Sequence, residues 1–287
     1  MFLGHVSSFT GGTIYPLPQY RNKKSLSVTN GYQLVNNICP HQGSLILTEP
    51  SEQLSCRYHG WSWDVNGKPL TQGSTTVCNR SEISMSPVYQ ENGLLFTKPV
   101  DLAPISAIDL THMRLVEARI DSVHCDWRNI IDVFLDVDHI PVVHRDVYDS
   151  IGITTADVEW DYYDWGSIQR VSKSAEYSDE YRSTLLNIEE EQLAAWWVTV
   201  YPGTMIEWQP GAMFVTQCIE RGDVTDVLVS KYRDSRYSDH NWQLNSTIWE
   251  TAWQQDREQS ESIVIPHHKI AHLEPQKIHF REWMKSD

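Results

Sequence analysis

The chain has 287 residues, of which 40% are hydrophobic, and its formal net charge is −15. This length fits one or two globular domains, and no apolar run approaches the roughly 20 residues that a membrane-spanning helix needs. The acidic balance disfavours nucleic acid and anionic membranes as partners, because both are polyanions. The N-terminus lacks the charged and apolar regions of a signal peptide, and five cysteines suggest no disulfide framework, so we expect a cytoplasmic protein.

The first hundred residues carry the signals of a β domain. Asn-Gly is a strong hairpin signal because both residues accept positive φ. It occurs three times, at Asn30-Gly31, Asn66-Gly67 and Asn92-Gly93. We therefore predict an all-β domain over residues 1–98. Pro99 and Pro104 oppose continuation of a regular element and indicate a linker, so a second domain is predicted over 99–287.

Two short segments combine cysteine with histidine, Cys39-Pro40-His41 and Cys56-Arg57-Tyr58-His59. Two thiolates and two imidazoles can bind one zinc ion, but zinc fingers usually pair like with like, whereas each segment here supplies one of each. With Gly43 after the first pair and Gly60-Trp61 after the second, the pattern resembles the Rieske iron-sulfur proteins. The resemblance implies a 2Fe-2S cluster in which the cysteines hold one iron and the histidines the other.

The positions around these ligands indicate a subclass of Rieske protein. Rieske proteins of respiratory complexes have a further cysteine in each loop, and the two form a disulfide over the cluster. The corresponding residues here are Ser44 and Tyr58, so the pattern is similar to the lower-potential branch of oxygenases and ferredoxins. A ferredoxin needs only about a hundred residues, so most of this chain must serve another purpose.

The second half begins with a helical pattern. Apolar residues recur at three and four residues after Asp126, which is suited to cap a helix, and Pro141 is expected to interrupt that helix. Strand patterns follow at residues 167–171, 195–200, 212–216 and 227–230. A second long helix is predicted from about 239 to 263, since this segment contains no proline or glycine.

Both helical regions carry candidate metal ligands. Asp136 and His139 are three residues apart and would share a helix face, and the proline break would let His144 approach the same point. Two imidazoles and a carboxylate suit mononuclear non-heme iron. Asp256 lies in an apolar stripe of the second helix, where a buried carboxylate needs a cation or a metal. The alternative explanations are that both histidines are core residues and that Asp256 pairs with Arg257 or another exposed base.

The whole pattern resembles the oxygenase component of Rieske non-heme iron oxygenases, and the resemblance covers nearly the whole chain. Its matching segments are Cys39–Gly43, Cys56–Trp61, Asp126–Asn129, Asp136–His144 and Gln255–Glu258. It implies that His139, His144 and Asp256 bind catalytic Fe(II), and that Asp136 is a carboxylate bridging the two metal centres. It also implies an α+β fold, an N-terminal all-β Rieske domain followed by a helix-grip (START-like) antiparallel sheet wrapped around a long C-terminal helix. Members commonly form homotrimers that pass electrons between neighbouring subunits.

The function implied by this resemblance is hydroxylation or oxidative demethylation of a small organic substrate, aromatic or methylated amine, with O2 as co-substrate. No flavin motif or G-x-G-x-x-G segment is evident, so electrons from NAD(P)H must come through a separate reductase, with or without a ferredoxin. The alternative function is a Rieske electron-transfer or redox-sensing protein whose C-terminal domain binds a ligand without turnover.

Three smaller patterns complete the sequence analysis. Aromatic residues near Glu207 predict either a box for a methylated ammonium or ordinary core, namely Trp196, Trp197 and Trp208. A histidine group near the C-terminus is a rival metal site, although such tails are more often solvated or packing segments: His267, His268, His272 and His279. The remaining cysteines are expected to be buried free thiols: Cys78, Cys125 and Cys218.

Overall fold

The computed structural model describes residues 1–70, 81–105, 108–148, 158–172, 178–186, 193–264 and 274–286. The chain divides into two compact units, Met1–Thr111 and His112–Asp287. Cys78 lies outside the described residues, as do three members of the C-terminal histidine group, His267, His268 and His272. None of the described helices is long and apolar enough to span a membrane.

The first unit is built from short antiparallel strands. They form sheets in the orders β1-β9-β8, β2-β3-β4-β7 and β5-β6. Three 3-10 helices accompany them, at Val6–Ser8, Pro18–Tyr20 and Ala103–Ile105. The strands are β1 Phe2–His5, β2 Ile14–Pro16, β3 Lys24–Ser27, β4 Gln33–Asn36, β5 Leu54–Ser55, β6 Ser62–Trp63, β7 Met85–Pro87, β8 Tyr89–Glu91 and β9 Leu94–Phe96.

One Asn-Gly dipeptide forms a tight hairpin between β8 and β9. Glu91 pairs with Leu94, which leaves Asn92 and Gly93 as a two-residue loop. Both loop residues have positive φ, 46° and 80°. That is the backbone that matches the twist of the flanking strands, so the hairpin prediction is confirmed here.

Gly93→Ala is expected to destabilise the first unit by about 1–3 kcal/mol, because a Cβ at this positive φ would lie 2.7 Å from Nε2 of the buried His5. Urea unfolding of the full chain measures the loss. Gly31→Ala is the matched control, since Gly31 has a similar φ of +81° but no atom within 4 Å of the added Cβ. Equal losses in the two variants would mean that contact with His5 contributes nothing.

The second unit contains one antiparallel sheet of seven strands in the order β10-β16-β15-β14-β13-β12-β11. Consecutive strands pair from β11 to β16, and the first strand, β10, returns to pair with the last. The strands are β10 Met113–Val123, β11 Val158–Tyr163, β12 Gly166–Ser172, β13 Leu193–Val200, β14 Thr204–Gln209, β15 Ala212–Arg221 and β16 Val224–Asp234.

A long helix lies against this sheet. Its side chains Trp249 and Trp253 pack in one cluster with Phe214 of β15 and Val229 of β16. The fold class is therefore as predicted, a β unit followed by an antiparallel sheet with a long C-terminal helix. The helices are α1 Trp127–Leu135, α2 Ile140–Val143, α3 Arg145–Tyr148, α4 Asp179–Arg182, α5 Asp239–Ser262 and α6 Pro275–Ser286, with a 3-10 helix at Val137–His139.

The structure confirms both long predicted helices and corrects the effect of the proline. Asp126 caps α1 by accepting a hydrogen bond from the Arg128 backbone N–H (2.9 Å). The helix ends at Leu135, well before Pro141, which instead lies in the first turn of α2. A proline is tolerated there because first-turn N–H groups have no intrahelical partner. Asp136 and His139 are therefore joined by a 3-10 turn and do not share an α-helical face.

Candidate metal centres

The two cysteine-histidine loops of the first unit have the same backbone architecture. The N–H of Cys39 donates to the Ser44 carbonyl (2.8 Å), and the N–H of Gly43 donates back to the Cys39 carbonyl (2.9 Å). Cys56 and Gly60 repeat this pattern at 2.7 and 2.9 Å. Both glycines have left-handed φ values, 75° and 70°, which explains why each loop needs a glycine after its histidine.

The four predicted ligands come together as two separate pairs. The Cys39 and Cys56 thiols are close enough to influence each other's pKa, and the Nδ1 atoms of His41 and His59 are 3.2 Å apart. No three of these four side chains have ligating atoms that all lie within 4.8 Å of one another. A single zinc ion needs all four ligands around one point, whereas a two-iron cluster needs a thiolate pair and an imidazole pair. The residues present fit the cluster.

The two thiols are less exposed than the two imidazoles, and they differ from each other in the direction of their pKa shifts. Both cysteines are buried, whereas both histidines are exposed. Burial raises the pKa of Cys39. Burial also acts to raise the pKa of Cys56, but hydrogen bonds, foremost the one with the Ser44 hydroxyl, outweigh it and lower that pKa. The Ser44 Oγ and Cys56 Sγ atoms are 3.3 Å apart. The Ser44 hydroxyl therefore favours a negatively charged sulfur.

Ser44→Ala is expected to lower the midpoint potential of a bound cluster by roughly 40 mV. A hydrogen-bond donor to a ligand sulfur stabilises the reduced cluster, so its loss lowers the potential. A hydrogen bond is worth about 1 kcal/mol, and for one electron each tenfold change in the equilibrium constant, about 1.4 kcal/mol, corresponds to about 59 mV. A redox titration followed by electron paramagnetic resonance measures the shift. Ser51→Ala is the control, because the Ser51 hydroxyl bonds the Gln53 backbone. A Ser44→Ala potential equal to that of the wild type would contradict this role.

In the second unit, the structure brings His139, His144 and Asp256 to one point. His139 ends the 3-10 helix, His144 follows α2, and Asp256 lies in the C-terminal half of α5. The two Nε2 atoms are 3.0 Å apart and lie 3.2 and 2.8 Å from Oδ1 of Asp256. The pairing of Asp256 with Arg257 left open by the sequence is not observed, since Arg257 hydrogen-bonds the Ser122 carbonyl instead.

The partners of the two imidazoles fix which nitrogen faces this point. Nδ1 of His144 lies 2.7 Å from Oε1 of Gln255, and Nδ1 of His139 contacts the Asp136 backbone carbonyl. Each Nδ1 must donate to its oxygen, which leaves both Nε2 lone pairs directed at a carboxylate and at each other. Such an arrangement is repulsive unless a metal ion or a proton lies between these atoms, and it is the usual arrangement around metal-ligating histidines. The residues therefore fit a bound metal ion.

Electrostatic coupling within the triad is strong. Burial acts to lower the pKa of His144, but its contact with the Asp256 carboxylate outweighs this and raises that pKa. Burial acts to raise the pKa of Asp256, but the two imidazoles lower it overall. The carboxylate is thus held in its anionic form, the form that binds a metal.

Asp136, the predicted bridging carboxylate, lies beside the triad and contacts α6. Its Oδ1 accepts from the Asp138 backbone N–H (3.1 Å), and its Oδ2 accepts from the Lys277 ammonium (2.8 Å). In this arrangement the Asp136 backbone carbonyl, and not its side chain, contacts His139. Sequence reasoning missed Lys277 because nothing in the chain order places α6 beside the metal ligands.

A small cavity opens on the triad. Its lining combines the three candidate ligands with apolar and acidic side chains: Phe134, His139, Ile140, His144, Trp197, Glu207 and Asp256. Of the three tryptophans predicted near Glu207, only Trp197 lines this cavity. Trp196 and Trp208 stack on each other instead, with ring centroids 5.9 Å apart. Trp196 and Trp208 are cross-strand partners, and each is adjacent in sequence to a member of the Trp197–Glu207 pair. Successive residues of a strand point to opposite faces, so the two tryptophans lie on the other face of the sheet.

Comparison with known sequences identifies the first unit's motif. Residues 8–79 match the Rieske [2Fe-2S] domain family. The putrescine 2-hydroxylase of Ralstonia nicotianae is 25% identical over 206 residues, which are 65% of this chain and 56% of that protein. A second putrescine 2-hydroxylase, from Bordetella bronchiseptica, matches over 51% of its length. The chain thus spans about half the length of the curated relatives it matches.

Comparison with solved structures extends the likeness to the fold. The quaternary ammonium Rieske monooxygenase CntA superposes with a TM-score of 0.68 at 13% identity, over 91% of this chain and 76% of that one. The naphthalene 1,2-dioxygenase of a Rhodococcus species superposes with a TM-score of 0.66 at 15% identity, over 100% of this chain and 78% of that one. Residues 8–79 therefore form a Rieske [2Fe-2S] domain, and the chain as a whole shares the fold of Rieske oxygenases of known structure.

Proposed function

We propose that this chain uses O2 and externally supplied electrons to hydroxylate or oxidatively demethylate a small organic substrate. The observation that carries the proposal is the convergence of His139, His144 and Asp256 on one point of a cavity, in a chain that also has a Rieske domain. A cluster alone would suit an electron carrier. A second site with two imidazoles, a carboxylate and adjoining open space suits oxygen chemistry.

The proposal assigns Cys39, His41, Cys56 and His59 to a 2Fe-2S cluster, and His139, His144 and Asp256 to Fe(II). Bound there, the cluster would relay single electrons and the iron would activate O2. Gln255 and the Asp136 carbonyl hold the two imidazoles in the tautomer that leaves Nε2 free. Phe134, Ile140 and Trp197 give the cavity its apolar walls.

The route by which electrons reach the iron involves neighbouring subunits and a separate reductase. The solved structure of a quaternary ammonium Rieske monooxygenase, 13% identical to this chain, gives insights into inter-subunit electron transfer in that protein. We extend this to a homotrimer in which Asp136 lies between the iron of its own subunit and the cluster of the next. Its backbone carbonyl contacts His139, and its carboxylate would accept a hydrogen bond from a cluster imidazole of the next subunit. Electrons come from NAD(P)H through a separate reductase, with or without a ferredoxin, which places the reaction in the cytoplasm.

The test is an NADH-dependent oxygen-uptake assay with the iron-loaded chain and a surrogate reductase, run against panels of aromatic acids and alkylamines. The expected result is uptake that depends on one class of substrate, with label from 18O2 in the product or formaldehyde released from a methylated substrate. Reduction of the cluster with no substrate-dependent uptake across the panels would favour the alternative, an electron-transfer or redox-sensing protein.

A further inference from the structure

A row of side chains crosses the sheet beneath α5 and includes one carboxylate at the cavity. Trp197, Glu207, Phe214 and Lys231 are successive cross-strand partners on β13, β14, β15 and β16. Directly opposed partners lie on the same face of an antiparallel sheet, so all four face α5. Of this row, Trp197 and Glu207 line the cavity that holds the metal triad.

The Glu207 carboxylate is held in place by an indole. The Trp249 Nε1–H donates to its Oε1 (2.8 Å), and Trp249 is itself fixed by stacking on Phe214, with centroids 4.9 Å apart. The described residues offer the second carboxylate oxygen no hydrogen bond. Glu207 therefore has one oxygen anchored and the other available in the cavity.

The one basic side chain of this row, Lys231, pairs with carboxylates other than Glu207. Lys231 pairs with Glu250 and lies 3.1 Å from the Glu117 carboxylate. Its ammonium also lies 5.7 Å from the centroid of the Trp249 ring. Phe214 separates it from Glu207 along the row. Among the residues that the structure describes, no Lys or Arg pairs with Glu207.

The surroundings of Glu207 disfavour a negative charge on its carboxyl group. Burial raises the pKa of Glu207 to about 7, with the Trp249 hydrogen bond acting against it and the Asp256 carboxylate adding to it. A carboxylate in such a place is costly unless a positive charge comes beside it. Glu207 lines this cavity together with His139, His144 and Asp256, so an occupant of the cavity lies beside Glu207.

We infer that the substrate of this site carries an alkylammonium group, and that Glu207 binds that group with the face or edge of Trp197 beside it. The inference rests on the proposed function, because it assigns the substrate to the same cavity. A free carboxylate oxygen supplies a charge-assisted contact, and an indole attracts ammonium groups through its ring electrons. A protonated primary amine and a quaternary ammonium share this chemistry, and the test separates them.

The test compares binding of two cations with uncharged molecules of the same shape. The probes are butylamine against butanol, and choline against the analogue in which a tert-butyl group replaces the trimethylammonium group. Calorimetry under anaerobic conditions uses the full chain with its iron and cluster in place. At least one cation is expected to bind at least about tenfold more tightly than its uncharged analogue, as a charge-assisted contact provides.

Glu207→Gln then tests the residue. The amide retains the shape and can still accept from Trp249, but it has no charge, so the preference for the cation is expected to fall below about twofold. Glu159→Gln is the control, since Glu159 is an exposed carboxylate of β11 that pairs with Arg170 (3.1 Å). Cluster absorbance and the unfolding midpoint confirm that each variant is folded.

Several results would overturn the inference: no binding of either cation, equal affinity for cation and analogue, or a preference that survives in Glu207→Gln. If Glu207 only balanced the charge of the metal, the site would bind the cation and its uncharged analogue with equal affinity. Failure of the oxygenase proposal looks different. A cation preference that depends on Glu207, with no oxygen uptake, would contradict the oxygenase and leave the binding site standing. Oxygen uptake that depends on uncharged probes alone would support the oxygenase and contradict the alkylammonium site.

Discussion

His144→Ala is expected to lower substrate-dependent oxygen uptake by at least about a hundredfold while the cluster absorbance is unchanged. His144 is buried and is one of the three proposed iron ligands, and its Nε2 lies 2.8 Å from the Asp256 carboxylate. Loss of outer partners of metal ligands already costs about 10–100-fold, so loss of a ligand itself should cost more. Uptake assays and iron analysis on the same preparation measure both effects, and about one iron per chain should be lost.

A histidine elsewhere on the second unit provides the control for this variant. His240 lies on α5 with an exposed ring, 3.5 Å from Glu180, and His240→Ala should retain full iron and full uptake. If His144→Ala kept both its iron and its activity, the triad would not be the iron site. The histidines would then be ordinary buried residues, as the sequence alone allowed.

Asp136→Asn is expected to retain both the cluster and the mononuclear iron but to reduce coupled turnover by at least about a hundredfold. The backbone carbonyl that orients His139 is unchanged by this substitution, so iron binding should persist. An amide, however, has one uncharged acceptor oxygen where a carboxylate has two charged ones. It should therefore bind a cluster imidazole of the next subunit less strongly, since the Asp138 N–H and the Lys277 ammonium compete for that oxygen. Single-turnover reduction of the iron centre, measured beside the steady-state rate, separates electron transfer from substrate binding.

Two variants separate bridging from the contacts that Asp136 makes in its own chain. Lys277→Met removes the ammonium that lies 2.8 Å from the Asp136 carboxylate but leaves that carboxylate intact. Asp138→Asn changes an exposed neighbouring carboxylate. Both should keep most of the turnover rate. Normal turnover in Asp136→Asn would refute the bridging role, and a loss in Lys277→Met equal to that in Asp136→Asn would assign the effect to the ion pair.

The elements that the sequence predicted best are those with strong local signals. Helix α5 was predicted from about 239 to 263 and observed at Asp239–Ser262, because no proline or glycine interrupts it. Strand β14, Thr204–Gln209, was not predicted, because its polar Glu207 falls where an apolar residue would be expected on a face that packs against a helix. Strand β10 was not predicted either, because its half-buried face carries Glu117, Arg119 and Asp121 whereas Val116 and Ile120 are exposed, the reverse of the usual pattern.

Site residues divide in the same way between local spacing and tertiary placement. The two loop pairs and the His139–His144 spacing are visible within a few residues of sequence. The pairing of Trp197 with Glu207, and of Trp196 with Trp208, depends on the register between β13 and β14. A slip of one residue would exchange the two faces, and sequence alone does not set that register. Contacts from α6, such as Lys277 with Asp136, depend on where a distant helix packs.

Metal and sulfide analysis of the purified full chain tests the central claim most directly. With a cluster in the Rieske loops and one iron at His139, His144 and Asp256, the account predicts about three irons and about two labile sulfides per chain. His144→Ala should lose about one iron per chain and retain its labile sulfide. Two irons with two sulfides in the wild type would leave an electron carrier, and zinc without labile sulfide would contradict both the cluster and the oxygenase.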